Sequence, residues 1–97
     1  MTGTAQDQKK AARIASQCRA FFPWYQQSNN PDKYELQAFK ELKAETLPKL
    51  ESYTDAGQLV ADRQKFADRT LIMQIITRAE RMRQTDPEAI RERKAYI

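Results

Sequence analysis

Apolar positions early in the chain fall three and four residues apart, at Ala11, Ile14, Cys18, Phe21 and Tyr25, the spacing that gathers side chains on one face of a helix. The pattern predicts a helix from about Thr4 to Phe22. Thr4 is placed to cap it, and Asp7 sits in the first turn, where a carboxylate favours the positive end of the helix dipole. Pro23 lacks an amide hydrogen and biases Phe22 away from helical geometry, so the helix is expected to end or kink there.

The stretch Ser28, Asn29, Asn30, Pro31, Asp32 is the clearest punctuation, with Asn30 placed as cap and Pro31 as first residue of a second helix. Phe39, Leu42, Leu47, Leu50 and Tyr53 give this helix its stripe, and Pro48 predicts a kink or a break near Ala44 to Leu47. Asp55, Ala56 and Gly57 read as a turn, with Gly57 available for a left-handed C-cap.

A third helix, the longest and most central, is expected from about Gln58 to Arg83, where no Gly or Pro interrupts. Leu59, Phe66, Met73 and Ile76 form its stripe, widened by Val60, Ala67, Leu71 and Ile75, and from Leu71 to Ile76 it is apolar nearly all round. Asp86 and Pro87 repeat the cap logic for a short fourth helix to about Tyr96. The fold class that follows is all-α, a small bundle of three long helices plus a short C-terminal helix, in one domain over residues 1–97 with 1–4 and 95–97 frayed. The paired tripeptides Ala61-Asp62-Arg63 and Ala67-Asp68-Arg69 fall on different helical faces and are a coincidence, not a repeat.

Composition agrees with this reading. Gly and Pro are scarce, 2 and 4 in 97 residues, and helix formers dominate. A hydrophobic share of 40% with 31% charged residues is that of a folding chain, not a disordered one. No apolar run approaches the roughly 18 residues of a membrane span. No secretory signal is recognisable at the start, so cytoplasmic residence is the default expectation. The lone Cys18 suits a reducing compartment and reads as a small core residue.

The absence of histidine removes the commonest general base and metal ligand together. Serine or cysteine nucleophiles then have no imidazole, and Gly3 and Gly57 cannot build a phosphate loop. Only paired carboxylates remain, with Asp62, Asp68, Glu41 and Glu45 as candidates, and solvated pairs explain these better. No enzyme, metal site or cofactor is expected.

Two binding surfaces are. Net charge is +4, unevenly spread: basic ends flank an acidic middle that holds Asp32, Glu35, Glu41, Glu45, Glu51 and Asp55. Arg78, Arg81, Arg83, Arg91, Arg93 and Lys94 form a C-terminal basic set suited to a nucleic-acid backbone, as in an accessory subunit of a larger assembly. Lys9, Lys10, Arg13 and Arg19 are a second basic group, on the first helix. The alternative is a protein-interaction module, an inhibitor, adaptor or homodimer, using Phe22, Trp24, Leu71 and Ile72. No membrane partner is expected.

Overall fold

In a computed structural model the chain is all-α, a small bundle of three long helices and one short one; the structure describes residues 1–87. The helices are α1 (Ala5–Ser28), α2 (Lys33–Glu51), α3 (Ala56–Ala61) and α4 (Asp68–Thr85), with a 3-10 turn at Arg63–Phe66 ahead of α4. The expected fourth helix beyond Pro87, together with Arg91, Arg93 and Lys94, lies outside the described residues. No described helix is long and apolar enough to cross a membrane.

Oxygen-bearing side chains start three of the helices. Thr4 accepts from the Asp7 amide at 3.1 Å, Asp32 from the amides of Tyr34 and Glu35 at 2.9 Å each, and Asp55 from that of Gly57 at 3.1 Å, each satisfying donors that a helix N-terminus leaves open. The cap of α2 is therefore Asp32, not Asn30. Gly57 belongs to the first turn of α3 and has no positive φ; among the described residues only Gly3 has one, at 122°.

Neither proline breaks its helix. α1 runs through Pro23 to Ser28, and α2 through Pro48 to Glu51. Each proline deprives one carbonyl four residues back, on Arg19 and Ala44. Both of those residues are exposed, so water can take the freed oxygen and the cost falls.

The long third helix is instead divided. Asp62 closes α3, its amide shared between Gln58 and Leu59 carbonyls at 3.0 and 3.1 Å. Its carboxylate accepts from the Tyr53 hydroxyl at 2.6 Å and from Gln58 Nε2 at 3.3 Å. Ala67 is extended (φ −70°, ψ 144°), and Thr70 Oγ1 donates back to the Gln64 carbonyl at 2.6 Å. The extended residue resets the helical phase. Leu59 and Phe66 remain buried, but the heptad continuation to Met73 and Ile76 points outward, at 55% and 50% exposure, while Leu71, Ile75 and Ala79 turn inward.

The division lets one stretch of chain serve two neighbours. α3 packs against α1, and α4 packs along α2. α1 and α2 meet through aromatic rings: Phe22 lies edge-on to Phe39 at 5.7 Å, and Tyr25 stacks on Phe39 at 5.8 Å with planes 12° apart. Such pairs add to area burial. The Thr2 amide donates to Thr54 O and the Ala56 amide to Thr2 O, both at 2.7 Å, forming a parallel bridge between Thr2 and Asp55.

Candidate functional site

The aromatic run of α1 is sorted by helical phase. Phe21, Phe22 and Tyr25 are buried, whereas Trp24 is 50% exposed. Phe22 has no exposed surface and is a core residue, not a contact for a partner. Leu71 is likewise core, at 1% exposure. Trp24 and half-buried Ile72 keep the accessibility that a partner contact needs.

Trp24 borders a groove of about 590 Å³ between α1 and the turn before α4. Ile14, Gln17, Ala20, Phe21 and Trp24 form the α1 wall, and Arg63, Gln64, Phe66, Ala67 and Asp68 the other. Gln17, Ala20 and Trp24 share a flank by their spacing of three and four; Arg13, one turn before Gln17, continues it toward the N-terminus. The small side chain of Ala20 keeps the floor low. The Trp24 ring leans on Phe21 at 6.1 Å and 46°, which fixes one face of the indole and leaves the rest accessible. The exposed cations Lys9, Lys10, Arg13 and Arg19 of α1 form no ion pair among the described residues.

Of the predicted basic set, Arg78, Arg81 and Arg83 fall among the described residues, and the first and last of these are engaged by carboxylates. Arg78 is engaged by both carboxylate oxygens of Glu45, a bidentate pair between α4 and α2. The guanidinium holds the Glu45 carboxyl below the usual carboxylate range, and the Arg78 pKa is raised in return. Arg83 donates to Asp32, to Glu35 at 3.4 Å and to Glu80 at 3.2 Å, and its guanidinium carbon lies 5.5 Å from the Tyr34 ring centroid. It ties the end of α4 to the start of α2. Arg81 is exposed on α4 and borders a shallow depression with Met73 and Thr77.

Asp62 is held below the ordinary range by hydrogen bonds from Tyr53 and Gln58, and Glu45 is bound to Arg78. No group of three or more metal-ligating side chains occurs among the described residues. Burial, then the Asp68 carboxylate, pushes the Cys18 thiol up, with Arg19 opposing; the group is kept protonated in the core.

Arg63, Gln17 and Ala20 were not singled out from sequence as site residues, and Asp68 was weighed only as a candidate carboxylate, because the groove exists only once the third helix is divided. The signal present was the polar run Asp62 to Lys65, inside a segment otherwise patterned as one helix. Compared with family models, curated proteins and solved structures, the chain matches none.

Proposed function

We propose that the chain is a non-enzymatic binding domain that holds an apolar, acid-flanked helical segment of a partner protein in the groove between α1 and the turn ahead of α4. Trp24 carries the reading. A half-exposed indole, supported from one side by a core phenylalanine and set beside a concave surface, is the arrangement from which interfaces draw much of their energy. The α1 cations along and beyond the groove supply the electrostatic preference for an acidic partner.

A nucleic-acid backbone is less well served, since a phosphate would compete with Glu45 for Arg78 and with Asp32 for Arg83. A cytoplasmic setting belongs to the proposal, because Cys18 functions only as packing and stays a thiol there.

Trp24 is the only tryptophan, so its emission reports directly on the groove. Titration with a synthetic helical peptide carrying leucine anchors between glutamates should give a saturable blue shift. Ala20→Arg, which fills the floor at an exposed position, should weaken that binding by at least about tenfold. An emission unchanged by any such peptide overturns the proposal. A salt-sensitive response to a mixed-sequence oligonucleotide in its place would reassign the domain to backbone binding.

A further inference from the structure

The outward face of α4 carries a stripe that is complementary to itself. Arg69, Met73, Ile76 and Glu80 follow one another at spacings of four, three and four, the pattern that lines side chains along the seam of paired helices. They lie apart from the face on which Leu71, Ile75 and Ala79 are buried. Met73 and Ile76 are both at least half exposed. Arg69 is exposed and joins no ion pair among the described residues. Glu80 is already engaged, accepting from Arg83 through Oε2, and a second cation would share that carboxylate, which has about four acceptor sites.

Reversing α4 about the midpoint between Met73 and Ile76 carries Met73 onto Ile76 and Arg69 onto Glu80. The stripe is therefore unchanged in character by a two-fold rotation, which is the requirement for an isologous contact between identical chains. We propose that this face of α4 docks against the same face of a second copy, antiparallel, with Met73 packed on Ile76 and Arg69 paired with Glu80 at both ends.

The order of charges selects this occupant. A parallel pairing would set Arg69 against Arg69 and Glu80 against Glu80, which like-charge repulsion disfavours. The seam spans at most one helix of 18 residues, about 27 Å, so the dimer is a small-interface one that dissociates on dilution. None of the four stripe residues lines the Trp24 groove, and the pairing does not depend on what that groove binds.

Sedimentation velocity of the full chain over a dilution series reaching the millimolar range provides the test. The wild type should pass from monomer to dimer. Arg69→Glu and Glu80→Arg, each alone, should weaken dimerisation by at least about tenfold, since each places like charges at both ends of the seam. An equal mixture of the two variants should recover the dimer, because one chain then carries acid at both ends of the stripe and the other carries base at both. Met73→Lys should leave a folded monomer, and it decides the matter together with Arg69→Glu if Glu80→Arg loses helicity. A wild type that stays monomeric throughout, a dimer indifferent to these changes, or a mixture that fails to recover overturns the proposal. Retention of the dimer in Trp24→Ala keeps this result distinct from the fate of the groove.

Discussion

Phe22→Ala tests the assignment of neighbouring aromatic residues to opposite sides of the surface. The Phe22 side chain is fully buried and makes edge-on contacts with Phe21 at 5.2 Å and Phe39 at 5.7 Å. Truncation removes the transfer term of a buried aromatic ring, about 2 to 3 kcal/mol, and leaves a cavity among rings on two helices that cannot collapse independently. Together these place the loss at about 4 kcal/mol, within the range measured for buried aromatic truncations. For a domain of this size that is a fall in Tm of roughly 15 to 30 °C, and a large fraction of a total stability on the order of 5 to 15 kcal/mol. Trp24→Ala, two positions on, should cost less than about 1 kcal/mol, as expected for a half-exposed side chain. Urea unfolding followed by far-ultraviolet circular dichroism measures both, with equal slopes required for the comparison. If Phe22→Ala loses less than about 1 kcal/mol, or Trp24→Ala loses as much as Phe22→Ala, the phase assigned to α1 is wrong.

Two further outcomes follow from particular contacts. Burial, and then the hydrogen bond to Asp62, push the Tyr53 phenol from its ordinary value of 10.0 up to about 12. Tyr53 thus ionises later in the folded chain than in the unfolded one, so its contribution to stability is complete below pH 10 and is lost as pH rises toward 12; stability measured across that window should fall less in Tyr53→Phe than in the wild type. Ala67 stands at the N-cap of α4 with extended backbone and no capping side chain. Ala67→Ser should raise stability by about 1 kcal/mol in urea unfolding, and a loss would show that the half-buried site cannot admit the hydroxyl.

The beginning of the first helix was legible because local chemistry decided it, whereas the caps of α2 and α3, Asp32 and Asp55, were read as Asn30 and as part of a turn. Thr4 and Asp7 occupy the roles their positions suggest, and the stripes of the first two helices are the faces that Phe21, Tyr25, Phe39, Leu42 and Leu50 bury. The prolines misled because their cost depends on whether the released carbonyl reaches water, a property of the packed molecule. The division near Asp62 was hidden for a related reason: nothing between Gln58 and Arg83 disfavours helix locally, and the break is held by hydrogen bonds from Tyr53, which lies outside that segment, and from Thr70, across the turn. One clue was available at Arg78. It lies three residues after Ile75 and seven after Leu71, at the edge of the true inner face, where a cation needs the partner that Glu45 supplies. Trp24 stood out in the sequence as a candidate contact residue and is half exposed, while the groove beside it required the displaced phase of α4.

The bridge between Thr2 and Asp55 makes a ring of the intervening chain, with α1 and α2 inside it. The chain three residues before α1 is thus held by two amide hydrogen bonds at the beginning of α3. Gly3 carries the turn out of this junction with a backbone that other residues rarely adopt, and a Cβ there would stand 3.1 Å from that of Ala56. Segments fifty residues apart therefore share one boundary, and the cap on α3 is as secure as the first few residues of the sequence that close the ring.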